Sequence, residues 1–427
     1  MSVIEYFDDH MDTSSKEYKR ALRHHLKSEH HKADVRSEPV SAFRAAEKKY
    51  KARFPPPDLS DVLDLATLDP ERTAEIDAGG WKGAHDAAAV RQIQLRRNSS
   101  GEARTAYLIQ RIPGLVLVPS FVGPAEQRSL VTRCLREHAR SPNESNLDAH
   151  YHVPSAGLWN EWETVSKRRE VDPEFDIVVE IKWKKDIASD EYHPPDTERT
   201  LVDNTPGSLK TFVSIKSQPK LAPMPSSSLS PTTVSTLIPK LRWSNIGLNY
   251  HWGTKSYDFE REKVPFPDDI RDICVDAVRS IQWKDVWEGE AEGMNWDDGE
   301  DWNVWEHTYE PDAGIINFYQ PKDTLMGHVD RSEISSTTPL VSISLGNAAI
   351  FLIGGTTRDV EPVPILLRSG DIVIMSGPGC RRAYHGVPRI LEGTTPSHLL
   401  SSDPLVAEYI KNARINCNVR QVFPTQQ

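Results

Sequence analysis

The stretch ARINCNVRQV, residues 413–422, alternates two kinds of residue with a period of two. Arg414, Asn416 and Arg420 fall on one parity, and Ile415, Cys417 and Val419 on the other, so on a strand the three polar groups face one way. Two arginines turned into a dry apolar core would carry a heavy desolvation cost. The polar face must therefore look into a cavity while the other face packs. A guanidinium there is suited to a carboxylate, because its fork matches two oxygens and it keeps its charge.

A second stretch, GHVDRSE at 327–333, sets His328 and Asp330 two apart, again on one face of an extended chain. Alone, the pair reads more readily as two solvated neighbours, as most such triplets do. With a distant histidine it becomes the two-imidazole, one-carboxylate set that binds a redox-active iron and leaves positions open. His385, in AYHGVPRI beside the apolar run GDIVIMSG, is the expected third member. His398 is its rival, but TTPSHLLSSDP reads as an exposed loop.

Working outward, short apolar runs surround these motifs: AGIINFY, VSISL, AAIFLIGG, VPILL, GDIVIMSG and RINCNVRQVF. Their Ile and Val content and the Gly and Pro between them predict an antiparallel sandwich or barrel, not βαβ units. No GxGxxG precedes a helix and there is no Walker loop, which excludes dinucleotide and NTP readings. PGLVLVPSFV (113–122) opens the folded unit, and PAEQRSLVTRCLREHAR after it has helical spacing. Residues 41–53 predict a helix stopped by the prolines at 55–57, and DLSDVLDLA a capped short helix or turn.

The chain has 427 residues, a net charge of −11 and 38% hydrophobic residues, with a mean hydropathy of −0.53. That supports a sizeable core with parts of the chain outside it, and speaks against a protein that merely coats nucleic acid. Residues 16–53 hold twelve Lys/Arg against five Asp/Glu, which reads as a phosphate-tracking arm or equally as a solvated helix face. Four histidines, His24, His25, His30 and His31, lack carboxylate or thiolate company. Residues 285–301 hold eight acids and no base, and read as a surface insertion. Four scattered cysteines with no CxxC predict a reducing intracellular compartment, with nucleus, cytoplasm and mitochondrion all compatible. No run is long enough to span a bilayer, and the acidic start is neither a signal nor a transit peptide.

These readings divide the chain into a disordered basic arm (1–40), a helical extension (41–112), an N-terminal part of the catalytic unit (113–240) and a core (241–427). The second-last part carries a disordered Ser/Pro-rich insertion at 165–239; the core carries the acidic one.

The combination N-x-Y at Asn317/Tyr319, then H-x-D eleven residues after that Asn, a later H and R-x-N-x-x-x-R resembles the AlkB family of Fe(II)/2-oxoglutarate dioxygenases. HVDRSE, AIFLIGG, SGDIVIMSG, HGVPRI and ARINCNVRQV are together most similar to the first eukaryotic AlkB homologue, and the likeness extends over most of 41–427. It implies an α+β, mainly β fold: a double-stranded β-helix (jelly-roll) core with an N-terminal helical extension and a nucleotide-recognition segment. It further implies that His328, Asp330 and His385 ligate iron, and that Asn317, Tyr319, Arg414, Asn416 and Arg420 line the 2-oxoglutarate pocket, Arg414 meeting the distal carboxylate.

Arg358 matches an arginine bordering the nucleobase site, and Ser332 stands where the bacterial enzyme has an acid. Tyr250 and Trp252, flanking His251, are candidates to stack an extruded base, although such a triplet also suits a core. Tyr384 is a contact or a packing residue; Cys380 and Cys417 read as apolar fillers.

The implied activity is oxidative demethylation of methylated bases with Fe(II), 2-oxoglutarate and O2, releasing formaldehyde, succinate and CO2. The partner would be single-stranded, bulged or loop RNA, tRNA or DNA, bound by a monomer without a membrane. Alternatives are oxidation of methylcytosine or a protein side chain, a noncatalytic nucleic-acid or chromatin-binding module, and strand cleavage at abasic sites through a lysine.

Overall fold

The computed structural model describes residues 15–33, 40–84, 89–96, 104–183, 206–226, 228–296, 299–401 and 403–424. Sixteen strands appear among them, and every pairing between named strands is antiparallel. They are β1 Val90–Gln94, β2 Thr105–Ile109, β3 Leu115–Val118, β4 Val178–Val179, β5 Thr232–Thr233, β6 Trp243–Gly247, β7 Tyr250–His251 and β8 Ser256–Tyr257. The rest are β9 Ala313–Tyr319, β10 Leu325–His328, β11 Leu340–Gly346, β12 Ala348–Ile353, β13 Val363–Leu367, β14 Ile372–Met375, β15 His385–Leu391 and β16 Arg414–Arg420. Eight form one sheet in the order β1-β2-β3-β14-β11-β16-β9-β6, and four form a second, β10-β15-β12-β13. Two small ribbons, β4-β5 and β7-β8, complete the set.

The alternation of side chains explains the layers. From β9, β11, β14 and β16 the residues Ile316, Phe318, Val341, Ile343, Ile372, Ile374, Ile415, Cys417 and Val419 enter one apolar cluster behind the large sheet. Four helices matter for packing: α1 Lys16–Ala33, α2 Ala42–Lys51, α3 Pro124–Arg136 and α4 Asp268–Ser280. Helix α3, capped by Glu126 on the Gly123 N–H, and α4 give Leu130, Val131, Cys134, Cys274, Val275 and Val278 to that cluster. The opposite parity, Tyr319, Leu340, Val373 and Met375, joins Ala349, Phe351, Ile353, Ile365, Val387 and Ile390 of the small sheet in a second cluster between the sheets. A third, with Phe43 and Tyr50 of α2, covers the outside of the small sheet.

Several expectations change. The 41–112 stretch is not purely helical: β1 and β2 extend the large sheet through β3, because Ile93, Ala106 and Leu108 reach its apolar cluster. Residues 165–239 are partly ordered, since a Leu158–Arg169 helix runs into them and Val179, Ile181, Val234 and Leu237 are buried. Residues 184–205 of the expected insertion lie outside the described residues. The acidic run is stapled inward by Trp287, fully buried against Gly114 and Gly377, and by Ala291. Asp285, Glu288, Glu290, Glu292 and Glu300 are exposed and Asp301 is buried, while the tryptophans decide its place. Within the basic arm, α1 is a helix, and Tyr18 and His25 lie against Phe54; residues 1–14 and 34–39 lie outside the described residues.

Candidate functional site

The predicted residues converge in the space between the two sheets. On β16 and β9, Arg414 pairs in register with Tyr319 and Asn416 with Asn317, so the four side chains share one face. Across the gap, His328 ends β10 directly opposite His385 at the start of β15. Their ring centroids are 4.5 Å apart, and His328 Nε2 lies 3.5 Å from Asp330 Oδ1. The ligand atoms of His328, Asp330 and His385 all fall within 4.8 Å of one another, the only such group of three or more among the described residues. His398 is elsewhere, on a one-turn helix with Nε2 2.9 Å from Gln127 Oε1.

The tautomers follow from the hydrogen bonds. Nδ1–H of His328 donates to the Met326 carbonyl and Nδ1–H of His385 to the Ala383 carbonyl, each at 3.0 Å. Both Nε2 lone pairs are thereby left for a metal, the arrangement that orients metal-binding imidazoles. Burial, then the neighbouring His328, pushes the His385 imidazole down to about 4, which keeps it neutral. Burial alone would raise the Asp330 carboxyl, but Arg420 and the two imidazoles outweigh it and hold it well below the usual range. Two imidazoles with their Nε2 atoms free and one carboxylate suit a ferrous ion.

The anion side is defined by Arg414. It is 1% exposed, and its guanidinium donates to the Asn347 carbonyl at 3.2 Å and to Ser344 Oγ at 2.8 Å, while its buried Nε has no partner. Burial pushes it down to about 10 and the Tyr319 phenol up to about 12. Asn416 donates to Ser342 Oγ and the Ile343 carbonyl. A half-satisfied buried guanidinium beside a phenol and two amides fits the carboxylate of a dicarboxylate cosubstrate.

Arg420 is built differently. Its Nη1 donates to Glu333 Oε1 at 3.2 Å, and its Nη2 lies 3.4 Å from Asp330 Oδ2. Tyr257 OH also donates to Glu333, and Arg381 Nη2 lies 3.5 Å from Glu333 Oε2. This fully buried acid, two residues past Arg331, holds Arg420 against Asp330. Its signal in the sequence was an acid embedded in HVDRSE; of its partners Arg420 was legible on β16, while Tyr257 on β8 and Arg381 on a one-turn helix carried none.

The expected base-contacting residues separate. Ser332 Oγ lies 3.3 Å from Tyr250 OH and donates to the Lys255 carbonyl at 2.8 Å. Trp252, 45% exposed, lies 4.7 Å from Trp243 and edge-on to Tyr250. Trp243, opposite Asn317 on β6, went unremarked in the sequence although its partner was named. His251 is occupied by the Leu221 carbonyl and Thr254. Arg358 stands apart, donating to the Gly327 carbonyl at 2.9 Å and lying over the Tyr384 ring, so Tyr384 packs.

The reverse side of β10 carries a further grip. Glu47 of α2, 4% exposed, accepts the Gly327 N–H, and the Phe43 ring leaves no room for a side chain at Gly327.

Residues 211–420 match the model for the 2OG-Fe(II) oxygenase superfamily. The chain is 29% identical to the tRNA demethylase of Schizosaccharomyces pombe, over 91% of this chain and 98% of that one. It is also 29% identical to the DNA N(6)-methyladenine demethylase of Arabidopsis thaliana, over 90% and 96%. With the N6-methyladenosine RNA demethylase of Cryphonectria parasitica it shares 31% identity, over 43% of this chain and 76% of that one. Matched along its length and carrying this donor set between its sheets, the chain belongs to the AlkB family of 2OG-Fe(II) oxygenases.

Proposed function

We propose that the chain oxidatively demethylates methyladenine in RNA, tRNA or DNA. The observation that carries this reading is the pairing of the His328–Asp330–His385 cluster with the counterion-poor Arg414 on the facing strand, in a chain whose relatives are named for nucleic-acid demethylation. His328, Asp330 and His385 would hold Fe(II) through two Nε2 atoms and a carboxylate. Arg414, Tyr319 and Asn317 would hold the distal carboxylate of 2-oxoglutarate, with Asn416 and Arg420 completing the pocket. Iron, 2-oxoglutarate and O2 together supply hydroxylation of an N-methyl carbon with release of succinate, CO2 and formaldehyde.

The chain's share is positioning and exclusion. Glu333 fixes Arg420, and Arg420 keeps Asp330 ionised. Tyr250, Trp252 and Ser332 would face the substrate; extruding a base costs a few kcal/mol, which favours single strands, bulges and loops. Arg358, tied to Gly327, borders the base side through that backbone. The two sheet orders support reading β9–β16 as a double-stranded β-helix, within residues 241–427 as the catalytic core. Four free, buried cysteines support a reducing compartment. Among the described residues no helix is long and apolar enough to cross a membrane.

The test is succinate and formaldehyde release with Fe(II), 2-oxoglutarate and matched oligonucleotides with and without N6-methyladenine or N1-methyladenine. Methyl-dependent formaldehyde that disappears in His385→Ala is expected. Tight oligonucleotide binding without turnover would replace the enzyme with a binding module.

A further inference from the structure

Beside the metal-ligand strand lies a cavity of about 730 Å³ lined by Ser208, Lys210, Val329, Arg331, Thr356 and Arg382 among others. Among the described residues the lining holds three cations and no carboxylate, in a chain whose net charge is −11. Its walls are built, not incidental. The Gly207 N–H donates to the Arg331 carbonyl at 2.6 Å, and a side chain at Gly207 would strike the Ser332 and Glu333 carbonyls, so segment 206–208 lies hard against the strand end. Arg382 ties the two walls together, donating to the Asp330 carbonyl at 2.7 Å and to the Gly207 carbonyl at 3.3 Å. Both acceptors are neutral carbonyls, and among the described residues no carboxylate lines the cleft to offset Arg382, Lys210 and Arg331. Val329 stands between His328 and Asp330 in the chain, so the cleft adjoins the segment that carries the ligands.

We infer that this cleft is a phosphate-binding subsite that seats the sugar–phosphate backbone next to the extruded base, with Lys210 and Arg331 as its mobile cations and Arg382 as its fixed wall. The inference rests on the reading that the substrate is a nucleic acid. A polyanion is the occupant because the described lining holds several cations and no acid, and hydroxyls of Ser208 and Thr356 flank them, the groups that contact phosphate oxygens. Seating the backbone there would set register while the aromatic side handles the base.

The test is the salt dependence of binding of the full-length protein to short single-stranded oligonucleotides, by fluorescence anisotropy. Each lost phosphate contact lowers the slope of log affinity against log salt by about 0.7 for a single strand. The Lys210→Gln/Arg331→Gln protein should lose about 1 to 1.5 from the slope, and Lys210→Gln alone about half of that. Lys284→Gln, the same charge change on an exposed side chain outside the cleft, should leave the slope as it is. An unchanged slope in both cleft variants overturns the subsite. Turnover and slope are measured on the same strands, methylated and unmethylated. Absence of methyl-dependent turnover in the wild type would therefore sink the demethylase reading while the slope still decides the cleft.

Discussion

Arg414 brings a charge to a place where it meets one carbonyl, one hydroxyl and a phenol. Such a group destabilises the chain until an anion arrives, which gives Arg414→Met two effects of opposite sign. Replacing a buried charge with an apolar side chain of similar length is neutral or stabilising by about 1–4 kcal/mol. The cofactor-free variant should therefore melt at or above the wild-type temperature. Loss of a charge-assisted, two-pronged contact should at the same time weaken 2-oxoglutarate by roughly 100-fold, about 3 kcal/mol. Thermal shift with and without 2-oxoglutarate reads both; wild-type cosubstrate stabilisation in the variant would remove Arg414 from the pocket. This residue was legible in the sequence because period two needs no tertiary knowledge: apolar Ile415, Cys417 and Val419 force their neighbours toward a cavity. Glu333, Tyr257 and Arg381 were not, because their mutual contacts depend on which loops return to β16, and nothing local encodes that.

Helix α2 shows the same boundary one level up. Ser41 caps it, accepting from the Arg44 N–H, and the prolines after Phe54 end it, so the helix itself is readable. What it packs against is not. Glu47 looks like one more surface acid in a basic helix, yet it is buried on the Gly327 N–H, one residue before a proposed iron ligand, while Arg358 takes the Gly327 carbonyl. The peptide carrying His328 is thus held from both sides by groups outside the sheet. The outer support of a metal ligand typically contributes a factor of 10–100 in affinity or activity. Glu47→Gln keeps an oxygen acceptor but loses its charge and the Arg44 ion pair, and should weaken Fe(II) binding by about tenfold; Glu47→Ala should approach 100-fold. A chelator-competition titration measures this directly. Equal iron affinity in Glu47→Ala and wild type would reduce the helix to a packing element. The tryptophan-stapled acidic run and the β1–β2 edge were misread for the same reason: charge density and a mixed pattern, VRQIQ, describe the outer face and hide the few side chains that dock.

At the scale of the molecule, the question is whether the N-terminal extension is an attachment or part of the fold. Leu63 makes a parallel bridge to Ile365 of β13, and the Leu63 N–H donates to the Pro364 carbonyl. Below it, Arg368 and Asp64 are both fully buried, with Nη2 2.8 Å from Oδ2 and a second donation to the Trp81 carbonyl. Arg72 pairs in turn with Asp371 at 2.9 Å and with Glu75 at 3.0 Å. Two basic groups and three acids thus lock residues 64–75 to the turn between β13 and β14. Removing one partner of a buried pair leaves the other charge stranded, at a cost of about 3–5 kcal/mol. Asp64→Ala should lose that amount in urea unfolding, whereas Glu288→Ala, which removes the exposed pair with Lys284, should lose at most about 1 kcal/mol. Because Tyr50, Leu59, Val62 and Trp81 share one cluster with Ile350, Leu352 and Leu366, the wild type should unfold in a single transition that includes the extension. Two resolved transitions, the earlier one weakening iron binding less than tenfold, would instead make the extension a separable unit and β10 self-supporting.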